Sequence, residues 1–154
     1  MAHERAGLVA LESDLIDVNA VLAAYYDLTP DPSNPDQKVV FGTSGHRGSS
    51  LDTAFNDLHI AATTQAIVEY RAVQGVSGPL FIGKDTHALS LPAWRTAIEV
   101  LVANGVAVFA EREDEYTPTP AVSRAIIRYN REHPKQVADG IVVTPSHNPP
   151  RDGG

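Results

Sequence analysis

Ser146 lies in a loop whose composition suits covalent chemistry. The loop reads Thr-Pro-Ser-His-Asn-Pro-Pro over residues 144–150 and directly follows an apolar run at 140–143. Pro145 and Pro149 restrict the flanking backbone, which lowers the entropy lost when the Ser146 hydroxyl is held in one place. A serine presented in this way favours group transfer. An Asn-Pro turn, in which Ser146 and His147 only satisfy backbone groups, fits the same residues, and local chemistry leaves both interpretations open.

Two further polar segments carry cationic or acidic side chains. The segment 42–50 is rich in glycine and contains Arg47, whose forked guanidinium suits an anionic group. We favour that interpretation over an ordinary surface arginine. The segment that contains Lys84, Asp85 and His87 favours a structural interpretation, in which Lys84 and Asp85 form an ion pair of little energetic value at a strand end. His87 would then simply start a helix.

Periodic apolar residues predict the elements that position these loops. Strands are expected at 38–41, 79–83, 106–110 and 140–143, and helices at about 13–26, 56–74, 89–104 and 119–130. Alternating strands and helices predict the α/β class, here a three-layer α/β/α sandwich with a mainly parallel or mixed four-stranded sheet. Ligands of such sheets bind beyond the carboxyl ends of the strands, where the polar segments fall.

Composition excludes several classes of protein. The chain has 154 residues, a formal net charge of -7 and no cysteine. It therefore lacks the broad basic field of a nucleic-acid or anionic-membrane binder, a disulfide scaffold and a cysteine nucleophile. No run is apolar enough for a membrane span or a signal peptide, so we expect a cytoplasmic protein without nucleic-acid or membrane partners. The stretch 78–85 nearly matches a nucleotide phosphate loop, but Asp85 replaces the required hydroxyl.

Four motifs together resemble a known family. They are FGTSGHRG at 41–48, GKDTHALS at 83–90, TPTPAV at 117–122 and TPSHNPP at 144–150. In this order and spacing they are similar to the N-terminal domain of the α-D-phosphohexomutase superfamily, and most to its bacterial glucose-specific phosphoglucomutase branch. The resemblance runs from the early helix at Ser13 to the last residue. We expect two parts: an N-terminal helix with a proline-rich linker at 1–37, and an α/β/α domain I at 38–154.

The resemblance implies roles for individual residues. It makes Ser146 the phosphoserine that relays a phosphoryl group and, through its phosphate, a ligand of Mg²⁺. Arg47 becomes an electrostatic clamp beside it, and His147 lines the same pocket as a catalytic residue. The residues implied to bind the substrate or its phosphate are Thr43, Ser44, His46 and Lys84.

The implied reaction converts glucose 1-phosphate to glucose 6-phosphate through glucose 1,6-bisphosphate. Members of the family are several times longer, and their later domains carry the other Mg²⁺ ligands and the sugar-selecting loops. We therefore expect this chain to be a fragment that folds, has the remaining domains as partners and lacks mutase activity by itself. The alternative is a noncatalytic α/β module that binds phosphate or a protein partner through the same loops.

Overall fold

The computed structural model describes residues 5–42 and 44–154. In this part of the chain the α-helices are α1 Val18–Asp27, α2 Asp57–Gln74, α3 Ser90–Ala103 and α4 Thr119–Glu132. The strands are β1 Gly48–Ser49, β2 Leu80–Lys84, β3 Val108–Ala110, β4 Asp139–Val143 and β5 Asp152–Gly153. Short 3-10 helices occupy Glu12–Asp14, Pro35–Gln37 and Ser50–Asp52.

The central sheet is parallel, with β2 between β3 and β4. Side chains alternate across β2: Leu80 and Ile82 pack in the core with α3, whereas Gly83 faces α4, where an added Cβ would lie 2.6 Å from Val122 Cγ2. The sheet therefore has α3 on one face and α4 on the other. This three-layer arrangement confirms the predicted α/β/α class.

Helices α1 and α2 complete the layer on the α3 side. Val21 and Tyr25 of α1 are buried in the same apolar cluster as α3, and the Tyr25 hydroxyl lies 3.0 Å from Thr96 Oγ1. Helix α2 packs along α3 and ends at Gly75, whose φ of 68° is in the left-handed region that closes many helices. None of the described helices is long and apolar enough to cross a membrane.

The strand predicted at 38–41 does not form, so the described residues give a three-stranded sheet rather than a four-stranded one. Phe41 makes only an isolated antiparallel bridge to His46, because the Gly42 N–H donates to Gly45 O and turns the chain back. Val40 and Phe41 are each 61% exposed. Their β-branched and aromatic character predicts a strand only where a neighbouring strand can pair with it.

The start of the first helix also differs from the prediction. Ser13 was the expected cap, but it lies in a 3-10 turn, and α1 begins four residues after that turn ends. Asp17 caps α1 instead, since its Oδ1 accepts the Ala20 N–H at 3.0 Å. The other helices and the remaining strands of the central sheet occur where the sequence predicts them. The division at residue 37 stays a prediction.

Candidate active site

The Ser146 loop begins where β4 ends. Ser146 is exposed and has a φ of 63°, a left-handed conformation that costs a residue with a side chain about 1–2 kcal/mol. The Ser146 N–H donates to Thr144 Oγ1 at 2.9 Å, and the Asn148 N–H donates to Pro145 O at 3.2 Å. These bonds form a tight turn that projects the Ser146 side chain from the carboxyl end of the strand.

Asp85, the first residue after β2, binds this loop through its carboxylate. Thr144 Oγ1 donates to Asp85 Oδ2 at 2.6 Å, and His87 Nδ1 lies 2.9 Å from the same oxygen. Asp85 Oδ1 accepts from Ser90 Oγ at 2.5 Å and from the His87 N–H at 3.0 Å. Burial opposes ionisation of Asp85, but the hydrogen bonds from Ser90, Thr144 and His87 outweigh it and hold the pKa of the carboxyl below its ordinary value.

A two-stranded ribbon brings the glycine-rich loop to the serine loop. Strand β1, which follows residues 41–47, pairs antiparallel with β5, which follows the serine loop. The register places Gly48 opposite Gly153, and an added Cβ on Gly153 would lie 2.3 Å from the Phe55 ring. Only glycine permits so close an approach, so the ribbon packs directly on the core.

Gly154 lies at the contact between the two loops. A Cβ at this position would be 2.7 Å from Thr144 O, 2.8 Å from Pro145 Cα and 3.0 Å from Arg47 Cγ. The stem of Arg47 therefore lies beside the base of the serine loop. Within residues 5–42 and 44–154 the Arg47 guanidinium has no hydrogen-bond or ion-pair partner, which leaves it able to bind an anion.

A cavity of about 540 Å³ lies between these loops, α2, α3 and β4. Its inner wall is apolar and includes Ile60, Ile67 and Ile141, while its polar wall is built from the two loops. The polar lining residues from the two loops are Ser44, His46, Arg47, Thr144 and Ser146, and the helices add Thr63, Thr64 and Thr119. The structure thus brings together most of the residues that the sequence predicts for the site.

Three further residues predicted for the site are Thr43, Ser44 and His147. Ser44 is exposed at the cavity, and His147 is exposed beside the serine, with Nδ1 3.5 Å from Ser146 Oγ. Thr43 lies outside the described residues. The catalytic role predicted for His147 and the binding roles predicted for Thr43 and Ser44 stay predictions.

His46 is a buried support of the glycine-rich loop. It is 8% exposed, stacks on Phe55 with ring centroids 5.8 Å apart, and accepts the Val40 N–H at Nδ1 over 3.2 Å. Burial lowers the pKa of His46, and the His59 ring, 5.5 Å away, adds to this effect. The neutral ring is therefore favoured, which suits packing better than it suits pairing with a phosphate.

Lys84 does not reach the cavity. Its side chain is fully buried, and Nζ donates to Glu115 O at 2.5 Å and to Arg112 O at 3.4 Å. Nζ also lies 3.8 Å from Glu111 Oε1 and 4.7 Å from the centroid of the Trp94 ring. This enclosed ammonium already has its partners, so the arrangement gives no support to the predicted phosphate-binding role of Lys84.

The ion pair suggested for Lys84 and Asp85 is also wrong. Lys84 ends β2 and Asp85 lies just beyond it, and the two side chains bind different segments of the chain. Among the described ion pairs Lys84 is matched with Glu111, and Asp85 is matched with His87. Sequence reasoning therefore missed Asp85 as a residue of the site.

The residues present do not by themselves fit a Mg²⁺ ion. The described part of the chain contains no group of three or more histidine or acidic side chains placed to hold a metal. Ser146 supplies a single oxygen, whereas Mg²⁺ takes near-octahedral oxygen ligands and releases its waters reluctantly. A Mg²⁺ ion held at Ser146 would therefore need further oxygen ligands from other groups.

Comparison with known proteins agrees with this geometry. Residues 38–154 match the family model described as phosphoglucomutase/phosphomannomutase, alpha/beta/alpha domain I. The chain is 58% identical over 140 residues to a phosphoglucomutase of Komagataeibacter xylinus, with 91% of the chain and 25% of the relative covered.

More distant relatives extend the same likeness. A phosphoglucosamine mutase of Prochlorococcus marinus is 35% identical over 117 residues, which cover 74% of the chain and 22% of the relative. A phosphomannomutase of Mycoplasma pneumoniae is 31% identical over 123 residues, which cover 77% of the chain and 21% of the relative. The chain thus spans about a quarter of the length of the curated relatives that it matches.

Proposed function

Because the chain belongs to the phosphoglucomutase/phosphomannomutase family, as its α/β/α domain I, we propose that Ser146 carries a phosphoryl group between positions of a phosphosugar. The reaction proposed for the whole protein is the interconversion of glucose 1-phosphate and glucose 6-phosphate. The observation that carries the proposal is the exposed Ser146 on a left-handed turn, at a cavity also lined by Arg47, whose guanidinium has no partner among the residues that the structure describes. The 58% identity to a phosphoglucomutase supports glucose as the sugar.

The chemistry needs two transfers. A sugar hydroxyl of glucose 1-phosphate attacks the phosphorus of phosphorylated Ser146, the bond from phosphorus to Oγ breaks, and Oγ leaves as the serine oxygen. The bisphosphate then turns over, Ser146 Oγ attacks the phosphorus of the 1-phosphate, the bond from that phosphorus to the sugar 1-oxygen breaks, and glucose 6-phosphate leaves. In the first transfer the sugar hydroxyl loses a proton and Oγ takes one up. In the second the Ser146 hydroxyl loses a proton and the sugar 1-oxygen takes one up, so each transfer balances. Such transfers depend mainly on alignment and on cations that neutralise the phosphate oxygens.

Arg47 supplies such a cation from this chain. Its stem lies against Gly154 at the base of the serine loop, and its guanidinium is free among the described residues. The forked group can bind two oxygens of one phosphate, whereas a lysine at this position would supply a point charge. Arg47→Lys should therefore keep the net charge and still lower mutase activity clearly. Unchanged kinetics would make Arg47 an ordinary surface arginine.

The remaining parts of the proposal concern groups that this domain does not hold. Mg²⁺ would be bound with ligands from elsewhere in the full protein, since the described residues contain no group of three or more histidine or acidic side chains placed to hold a metal. The further domains, the phosphosugar and glucose 1,6-bisphosphate are its proposed partners and activator. The cytoplasmic location expected from the sequence stays a prediction.

The direct test is the phosphorylation state of Ser146 in the longest natural gene product that contains this chain. Intact mass after incubation with glucose 1,6-bisphosphate should show one phosphate, and peptide mapping should place it on Ser146. Ser146→Ala should lose the phosphate and lower turnover by several orders of magnitude, because positioning alone does not replace a covalent relay. Ser123→Ala is a matched control, since Ser123 is exposed on α4.

Two results would contradict the proposal. Ser146→Ala with about a tenth or more of the original rate would remove the serine from the covalent path. A protein that binds phosphate and never carries it on Ser146 would instead favour the noncatalytic phosphate-binding module.

A further inference from the structure

The conformation of Ser146 is maintained by one hydrogen-bonded relay. A carboxylate has no proton to donate, so Thr144 must direct its hydroxyl hydrogen to Asp85 Oδ2 over 2.6 Å. The lone pairs of Thr144 Oγ1 are then available to the Ser146 N–H, which lies 2.9 Å away. The direction of both bonds is fixed, and it runs from Ser146 through Thr144 to Asp85.

The Asp85 carboxylate is itself held firmly. Ser90 Oγ and the His87 N–H both donate to Oδ1, at 2.5 Å and 3.0 Å, so the carboxylate cannot rotate without breaking them. Ser90 is fully buried at the first turn of α3, which makes that side of the network rigid. The Asp85 N–H also donates to Val143 O at 3.1 Å, which joins the end of β2 to the end of β4.

His87 extends the same network to the far side of the serine loop. Its Nδ1 lies 2.9 Å from Asp85 Oδ2, and its Nε2 lies 3.4 Å from Asn148 O. Thr144 and Asn148 flank Ser146, so Asp85 contacts one side of the turn through Thr144 and approaches the other side through His87, whose ring donates to both Asp85 and Asn148 O only when both of its nitrogens carry a proton. The left-handed φ of Ser146 is thereby held mainly through Thr144.

We propose that Asp85 is a positioning residue that acts through Thr144 and His87 to hold the Ser146 backbone in the conformation from which its hydroxyl transfers phosphate. The inference rests on the proposed role of Ser146 and adds a residue that does not touch the substrate. A misplacement of about 1 Å of a reacting group can lower a rate about 100-fold. Loss of the relay should therefore lower kcat while leaving substrate binding, and thus KM, nearly unchanged.

The test compares Asp85→Asn, Thr144→Val and the double variant in the longest natural gene product that contains this chain. Each single substitution should lower kcat about 100-fold, with KM within about twofold of the original. The double variant should be no worse than either single variant within about threefold, because both break one relay. Thr144→Ser keeps the hydroxyl, so it should retain most of the rate that Thr144→Val loses. This pair tests the relay even if Asp85→Asn fails to fold.

A matched pair elsewhere separates positioning from stability. Thr96 Oγ1 donates to Asp57 Oδ1 at 2.7 Å, so the same kind of bond joins α2 and α3 away from the serine loop. Asp57→Asn should lower the melting temperature and leave kcat unchanged. An equal loss of kcat in Asp57→Asn, or an Asp85→Asn variant that keeps more than about half of the original kcat, would overturn the inference.

The phosphorylation assay distinguishes this failure from failure of the proposed function. If the unsubstituted protein never carries phosphate on Ser146, both proposals are wrong. If it carries phosphate and Asp85→Asn is phosphorylated at the original rate, the positioning role alone is wrong. Slow phosphorylation of Asp85→Asn and Thr144→Val, with normal phosphorylation of Asp57→Asn, supports the positioning role of Asp85.

Discussion

Lys84 and Asp85 are adjacent at the end of β2, yet each organises a different loop. Lys84 is enclosed, and its ammonium binds the carbonyl groups of the 111–116 segment. Asp85 is partly open to solvent, and its carboxylate binds the loop of the exposed Ser146. The difference arises at the end of the strand: Lys84, the last residue of β2, points towards Trp94 and the 111–116 segment, whereas Asp85, the first residue beyond β2, points towards Ser90 and Thr144.

Lys84 and Asp85 show two different uses of a charged side chain. A fully buried ammonium must keep its partners or its burial becomes unfavourable, so Lys84 ties local structure to the stability of the whole domain. A partly exposed carboxylate loses less when a bond breaks, so changes at Asp85 can alter a loop while the fold persists. We therefore expect Lys84 to control mainly the stability of the domain and Asp85 to control mainly the conformation of the serine loop.

The largest effect on stability should come from Lys84→Met. The substitution keeps an apolar stem but leaves Glu111 without its charged partner and the carbonyls of Arg112 and Glu115 without the ammonium donor, which should cost about 4 kcal/mol of unfolding free energy. Urea unfolding measures this loss, with Lys135→Met at an exposed lysine as the control. A loss no larger than that of the control would show that the ammonium is dispensable.

A smaller loss, about 2 kcal/mol, is expected for Asp85→Asn at neutral pH, since hydrogen bonds to a charged group are lost. The lowered pKa of Asp85 means that its stabilisation is complete above the ordinary value of 3.8 and disappears as pH falls through the lowered value. The difference between the original protein and Asp85→Asn should therefore shrink on acidification. Unfolding curves at a series of pH values measure it, and a constant difference would contradict the assignment.

His46 should show a weaker dependence on pH over a different range. Burial lowers its pKa from 6.5, so the folded state favours the neutral ring and loses stability as pH falls from about 6.5 through the lowered value. His46→Asn keeps an acceptor for the Val40 N–H and should remove this part of the acid sensitivity. An identical pH profile for the variant would assign the sensitivity to other groups.

The smallest effect should come from Arg95→Ala. Arg95 pairs with Glu113 at the surface of the same segment that Lys84 binds from inside, and both partners are about half exposed. Exposed pairs contribute roughly 0–1 kcal/mol, so the melting temperature should change little. A loss comparable to that of Lys84→Met would show that the surface pair, rather than the buried ammonium, holds the segment.

Patterns that depend on neighbours along the chain predicted the fold well. The helical spacing and the final Gly75 predict α2, and the short apolar runs predict β2 and β4, because these signals are local. The run at 38–41 favours a strand as the runs of β2 and β4 do, but strand propensity does not supply a neighbouring strand with which it can pair. Pairing is a property of the tertiary structure, which is why this strand was predicted and does not form.

The residues of the site show the same contrast between local signals and tertiary contacts. Ser146 and Arg47 belong to motifs that a sequence displays, and the structure brings both to one cavity. Asp85 has an ordinary position before a helix, where an acidic residue is common, so nothing in its neighbours indicates its bond to Thr144. Lys84 was assigned to phosphate because its charge was visible in the sequence, whereas its burial became visible only in the packing.

The pairing of β1 with β5 has a consequence for the order in which the molecule folds. Gly48 and Gly153 are 105 residues apart, about two-thirds of the length of the chain, so their contact closes a long loop and is among the last that the chain can make. The parallel sheet and its helices can form first, and the two loops of the cavity meet only afterwards. Substitutions in this ribbon should accordingly speed unfolding and leave the rate of folding nearly unchanged.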